Sequence, residues 1–212
     1  MTQDFFLHRF EAGTDPAAPL LLLLHGTGGD ENDLVALGRQ LAPTAPLLSP
    51  RGPVLENGMP RFFRRLAEGV FDEEDIRRRA AELAAWIPVA AAYHKAASPA
   101  VIAVGFSNGA NIAAAILLLH PGVLRGAVLL RAMVPLQPRA EPRLAGTDVL
   151  LVSGSTDPIV PLANARMLSA RLRAAGANVT HRELPVGHQI TRGDVALAKT
   201  WLEGLAASHE RE

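Results

Sequence analysis

The chain has 212 residues, a length that fits one domain and can bury a sizeable core, and 49% of them are hydrophobic, a globular composition. Lys plus Arg and Asp plus Glu number 21 each, so the net charge is zero, and nothing in the balance points to nucleic acid or to acidic membranes. There is no cysteine, which excludes disulfides, thiolate catalysis and Cys-ligated zinc.

The opening residues, Met1 to Phe6, lack a basic segment followed by a long apolar core, so no signal peptide is expected there. Phe5–Phe10 is a weak strand candidate. Leu20–Leu24 is apolar without alternation, the pattern of a strand buried on both faces in a parallel sheet. Residues 32–33 and the Pro/Gly-rich span 50–60 read as loops, with a weak strand at Pro46–Ser49 between them. Arg61, Arg64, Arg65 and Arg77–Arg79 cluster in sequence, offset by Glu68 and the acidic residues 72–75, which predicts a solvated charged face. Asp72 is placed as the N-cap of a helix, with Glu73, Glu74 and Asp75 in the first turn, where the helix dipole favours negative charge. Pro88 is expected to kink or end that helix.

A second buried strand, Val101–Val104, precedes an apolar helix over Asn108–Leu119. Further buried strands are expected at Ala127–Leu130 and Val149–Val152. Pro161 suits the first turn of a helix that presents Leu162, Ala165, Leu168 and Leu172 on one face and stops at Gly176. A weak strand at Val179–Leu184 and a last helix from Arg192 or Gly193 to Ala207 complete the chain. The apolar runs, Leu20–Leu24 and Ile112–Leu119 among them, are too short to span a bilayer. Strands alternating with helices define an α/β class, with a mainly parallel central sheet flanked by helices on both faces, in one domain over residues 1–212. The expected location is cytoplasmic.

Gly105-Phe106-Ser107-Asn108-Gly109 has the form G-x-S-x-G, entered by a buried strand and left by an apolar helix. That context makes Ser107 a candidate nucleophile on a sharp turn, relieved by glycines that lack a Cβ. A serine hydroxyl needs an adjacent base. Of the histidines beyond it, His120 follows a helix end, His181 sits in a strand candidate and His209 lies in the tail. His188 lies in the loop Pro185-Val186-Gly187-His188-Gln189, between the last strand and the last helix, and is the candidate base. Asp157 follows the strand Val149–Val152 and is the candidate acid. Asp148 precedes that strand, at the far end of the sheet, and Asp194 comes after the histidine. Leu24-His25-Gly26-Thr27-Gly28-Gly29-Asp30 supplies a glycine loop in which Thr27 N–H, with Asn108 N–H, is the expected oxyanion pair. His25 is expected to bond loop backbone. A phosphate-binding loop is the poorer reading, because neither G-x-G-x-x-G nor a Walker A lysine is present.

These motifs together (residues 25–29, 105–109, Ser155-Thr156-Asp157-Pro158 and Gly187-His188) resemble the phospholipase/carboxylesterase family of α/β-hydrolases, which includes the acyl-protein thioesterases. The resemblance covers nearly the whole chain. It implies a serine hydrolase that cleaves small carboxylic esters through Ser107, Asp157 and His188, needs no cofactor or metal and, by resemblance alone, forms a homodimer. Many members carry Gln after the serine and then two glycines; here Asn108, Gly109 and Ala110 stand in those places. Residues 50–63 look more like a bacterial carboxylesterase branch, some of whose members are associated with hydroquinone stress. Met59, Phe62, Phe63, Met133, Val134 and Leu136 are candidate walls of a substrate pocket, with ordinary core packing as the competing reading. Arg131, at a strand end, is expected in a structural ion pair rather than against an anionic substrate. An acyl-thioesterase, a lysophospholipase or a peptidase on the same triad, and a non-catalytic binding protein of this fold, are the rival functions.

Overall fold

Residues 6–67, 69–96 and 100–209 are described by the structure, a computed structural model. Phe5, Glu68 and the side chain of His209, named above, lie outside the described residues. The chain runs β1 (His8–Glu11), β2 (Leu20–Leu24), α1 (Val35–Leu41), β3 (Leu47–Pro50), β4 (Val54–Glu56), β5 (Met59–Arg61), β6 (Arg65–Ala67), β7 (Val70–Phe71), α2 (Glu73–Tyr93), β8 (Val101–Phe106), α3 (Asn108–Leu119), β9 (Gly126–Leu130), β10 (Asp148–Gly154), α4 (Leu162–Ala174), β11 (Asn178–Leu184) and α5 (Arg192–His209).

Seven strands form one sheet in the order β1-β3-β2-β8-β9-β10-β11. Only β1 runs antiparallel to its neighbour; β3, β2, β8, β9, β10 and β11 pair in parallel. The five consecutive leucines of β2 are explained by the two layers around it. Leu20, Leu22 and Leu24 pack in one apolar cluster with α2, α3 and α4, while Leu21 and Leu23 pack in another with α1 and α5. Side chains on a strand alternate between faces, so a strand covered on both sides must be apolar at every position. The chain leaves β2 toward β3 on one side and returns as β8 on the other. That reversal opens a crevice at the carboxyl ends of the strands.

Several elements depart from the sequence expectations. Residues 50–60 are not plain loop, because β4 and β5 form a hairpin with Glu56 opposite Met59. Helix α1 and the small hairpin of β6 and β7 carried no readable pattern at their lengths. Pro88 lies inside α2, which continues to Tyr93 and does not end there. Arg61 is 3% exposed and does not belong to a solvated face, whereas Arg64, Arg77, Arg78 and Arg79 do pair with neighbouring carboxylates. Asp72 caps α2 by accepting from Asp75 N–H at 3.1 Å. At the end of α4, Gly176 adopts φ 96°; its N–H bonds Arg173 O and that of Ala177 bonds Leu172 O, a reversal in which only glycine is unstrained.

Helix α3 lies so close to the sheet that Gly109 has no alternative. A Cβ there would sit 1.9 Å from Leu24 O, a backbone atom of β2. Gly109→Ala is therefore expected to cost about 3 kcal/mol or more through overpacking. Thermal denaturation should show a melting temperature lower by roughly 6–12 °C, and an unchanged melting temperature would contradict this packing.

Candidate active site

The residues singled out in the sequence converge at the carboxyl ends of β2, β8, β10 and β11. Ser107 stands between β8 and α3 and adopts φ 51° and ψ −111°, a conformation costly for a residue with a side chain. Its N–H bonds Leu130 O at 2.8 Å and its carbonyl accepts from Asn111 N–H at 2.9 Å, so β9 and α3 hold the turn from both sides. The flanking glycines work by close approach. A Cβ on Gly105 would meet Ala110 N at 2.7 Å.

His188 Nε2 lies 2.9 Å from Ser107 Oγ, and its Nδ1 lies 2.8 Å from Asp157 Oδ2. The Asp157 side chain is fully buried. A carboxylate only accepts, so Nδ1 carries the proton and Nε2 offers its lone pair to the serine hydroxyl. The other oxygen of Asp157 accepts from Ile159 N–H at 2.8 Å and Val160 N–H at 3.0 Å. This second oxygen folds the loop on itself ahead of α4, whose N-cap is Pro161, so the two oxygens of Asp157 serve His188 and the loop backbone separately. The ring of Phe106 packs beside the imidazole at 5.3 Å between centroids.

The loop after β2 lies against the elbow. A Cβ on Gly26 would come within 2.8 Å of Phe106 Cδ1. No hydrogen bond among the described residues uses Thr27 N–H or Asn108 N–H. Both remain available as donors, with Asn108 at the first position of α3, where helix N–H groups lack intrahelical partners.

The segment from Gly52 to Phe62 straps this region down. Gly52 N–H donates to His25 Nε2 at 2.9 Å, and His25 Nδ1 donates to Gly26 O at 2.6 Å. Gly28 N–H bonds Pro60 O at 3.0 Å, Arg61 donates to Thr27 Oγ1 at 2.6 Å, and Phe62 N–H donates to Asn108 Oδ1 at 2.7 Å. One segment therefore holds both candidate oxyanion donors through their own side chains. Burial lowers the Arg61 pKa, with Arg65 adding to the effect and Glu56 opposing it. Sequence reading missed this role of Arg61 because it grouped the residue with the charged run that follows at Arg64, Arg65 and Arg77–Arg79. The one available signal was the apolar company of Pro60, Phe62 and Phe63.

The pocket candidates divide. Phe62, Phe63 and Leu136 are core residues with almost no accessible surface, and Met133 packs with Val160 and Ala165. Val134 and Leu136 border a cavity with Val70, Phe71 and Arg171 that none of the triad residues line. Met59 is 40% exposed, and its sulfur lies 3.6 Å from where a Gly28 side chain would begin. Among the described residues, no group of three or more His, Asp or Glu could hold a metal, and no helix is long and apolar enough to cross a membrane. Arg131 pairs with Asp194, both fully buried.

A central, mostly parallel sheet with helices on both faces and an elbow serine after its β8 strand is the architecture of the α/β-hydrolases. The chain belongs to the phospholipase/carboxylesterase family, whose model matches residues 7–205, and is a hydrolase of carboxylesterase-like type. It is 47% identical over 194 residues to MhqD of Bacillus subtilis (strain 168), covering 92% of this chain and 96% of that protein. A Bacillus cereus carboxylesterase structure is 46% identical, with a TM-score of 0.93 and 96% of each chain covered. A carboxylesterase structure from Mesorhizobium loti is 35% identical, with a TM-score of 0.89, covering 96% of this chain and 97% of that one.

Two outcomes follow from the strap. Asn108→Ala leaves the buried Phe62 N–H without an acceptor, so urea denaturation should show a loss of about 1–3 kcal/mol. Burial holds the His25 pKa below its ordinary value of 6.5. The unfolded chain then binds more protons, so stability is full above about pH 6.5 and falls as the pH drops below it. In His25→Asn that part of the acid sensitivity should vanish from denaturation curves compared at pH 7 and pH 5; an unaltered pH difference would count against a neutral, bridging His25.

Proposed function

We infer that this protein is a serine carboxylesterase acting on small-molecule esters as a single α/β-hydrolase domain. The observation that carries the reading is the continuous hydrogen-bonded relay from Asp157 through His188 to Ser107, at 2.8 and 2.9 Å. Ser107 Oγ attacks the ester carbonyl as His188 Nε2 takes its proton. Asp157 keeps the imidazole in the reactive tautomer and stabilises the imidazolium. The tetrahedral oxyanion is held by Thr27 N–H and Asn108 N–H, donors aimed where charge develops. His188 then gives its proton to the departing alcohol, leaving an acyl-enzyme. Water, deprotonated by the same imidazole, releases the acid and restores the serine. No step calls on a metal or cofactor.

Met59, beside the oxyanion loop, is the exposed apolar side chain best placed to touch an acyl or alcohol group. A thioester or lysophospholipid could use the same relay. The similarity to two carboxylesterase structures at 46% and 35% identity supports the simple ester reading.

Ser107→Ala should lower hydrolysis of p-nitrophenyl acetate by about 10⁶-fold in kcat and abolish labelling by a fluorophosphonate probe. Hydrolysis retained in this variant would refute the nucleophile. A matched series of p-nitrophenyl esters and acyl thioesters should give the highest kcat/KM with short-chain esters. A maximum on long-chain thioesters would favour the thioesterase reading.

A further inference from the structure

Arg131 is a charged residue in a place where charge is expensive. It follows the wholly apolar strand β9, adopts φ 57°, and neither its side chain nor that of Asp194 has any exposure. All the hydrogen-bonding nitrogens of its guanidinium are engaged. Nε donates to Gly187 O at 2.9 Å and Nη2 to Gln189 O at 2.8 Å, the two carbonyls that flank His188. Nη1 and Nη2 meet Asp194 Oδ1 and Oδ2 at 2.7 and 2.9 Å, a two-pronged pair, and Nη1 also reaches Val152 O at 3.3 Å. Thr191 bonds Asp194 Oδ2 through both its N–H and its hydroxyl, each at 2.7 Å. Burial alone would raise the Asp194 pKa, but the bonds from Arg131 and Thr191 outweigh it and hold the carboxylate charged.

The backbone of the same corner reaches the nucleophile. Leu130 O accepts Ser107 N–H at 2.8 Å, and Arg131 N–H bonds Val152 O at 3.0 Å in β10, the strand that leads to Asp157. One dipeptide therefore touches all three arms of the relay: the serine by its carbonyl, the strand before the aspartate by its N–H, and the histidine loop by its side chain. A surface ion pair would not need this arrangement, and a pair that served stability alone would be matched by apolar residues of similar volume.

We propose that Arg131, anchored by Asp194, is a positioning residue that sets the distance between His188 and Ser107 by gripping the carbonyls on either side of the histidine. The inference rests on the reading of His188 as the base. It makes the planar, forked shape of the guanidinium the requirement, because two divergent carbonyls and a carboxylate must be met at once. A lysine carries the same charge on a single nitrogen and cannot span them. Loss of the fork should therefore loosen the histidine loop and slow the chemical step while leaving the surface that binds substrate intact.

The test compares Arg131→Lys with the double variant Arg131→Met/Asp194→Leu, which replaces the ion pair by apolar volume and keeps the fold assessable if the lysine variant does not fold. Steady-state kinetics on p-nitrophenyl acetate should show kcat lower by about 10²-fold with KM within about threefold. In proton NMR spectra of the free enzyme, the downfield resonance of the His188 Nδ1–H, identified by its loss in His188→Gln, should broaden or disappear while the rest of the spectrum stays folded. A folded variant with kcat near that of the parent enzyme and an unchanged downfield resonance would overturn the proposal. Ser107→Ala, assayed in parallel, separates the two readings. If it stays active, the triad assignment fails; if it is inactive while the folded Arg131 variants work normally, only the positioning role fails.

Discussion

The contact between the start of α3 and the ends of β2 and β8 constrains everything else in this molecule. Gly109 lies against Leu24 O and Gly105 against Ala110, at separations that admit no side chain on either glycine. The turn between them forces Ser107 to φ 51°, a strained conformation worth on the order of 1–3 kcal/mol. The strain persists because the surroundings fix each end of the residue: Leu130 O accepts from its N–H and its carbonyl accepts from Asn111 N–H. What results is a hydroxyl raised above the sheet and a helix N-terminus directly behind it.

The three other components of the site arrive on loops, and loops do not hold geometry by themselves. Each is tied down by buried polar groups. The glycine loop after β2 is fastened to the strap of residues 52–62 through His25, Gly28 and Thr27, with Arg61 as the single buried cation there. The loop carrying Asp157 is folded onto itself by the aspartate's own second oxygen. The loop carrying His188 is gripped by Arg131. Burying a guanidinium costs several kcal/mol unless its donors are met. Arg131 meets that requirement with the Gly187 and Gln189 carbonyls and the Asp194 carboxylate, and Arg61 with the Thr27 hydroxyl, the Phe63 carbonyl and the Glu56 carboxylate. The desolvation cost is offset only when the loops adopt the arrangement seen here, so the charged groups act as gauges of loop position as well as sources of stability.

The family explains the ground plan but not these ties. Proteins at 46% and 35% identity share the fold with TM-scores of 0.93 and 0.89, as expected when the sheet and its helices are set by apolar pattern. Met59, on the hairpin of β4 and β5, is exposed beside the glycine loop that follows β2.

Much of this was written in local pattern. Unbroken apolar runs such as Leu20–Leu24 declare strands covered on both faces, and Asn108–Leu119, apolar all round, declares the central helix within its observed bounds. The serine turn, the order in which aspartate and histidine follow it, and the glycine loop are legible because each demands particular residues at short spacing. Helix α1 and the two hairpins were not legible, since at two to seven residues their periodicity is too brief to rise above the background of a loop. Of the two outcomes expected at Pro88, ending the helix is not seen: α2 runs on to Tyr93, with Ile76, Leu83 and Ile87 packed in the core. An ion pair was expected for Arg131 and is found with Asp194, but its other partners, and the burial of Arg61, were not legible. The partners that tie them to the site, Thr27 for Arg61 and Gly187, Gln189 and Asp194 for Arg131, lie 34 to 63 residues away, and no spacing rule connects them. Residue pattern determined the main strands and helices and which side chains are the candidates for the chemistry. Only tertiary structure decided how those side chains are held, because the partners meet through the folded sheet and not along the chain.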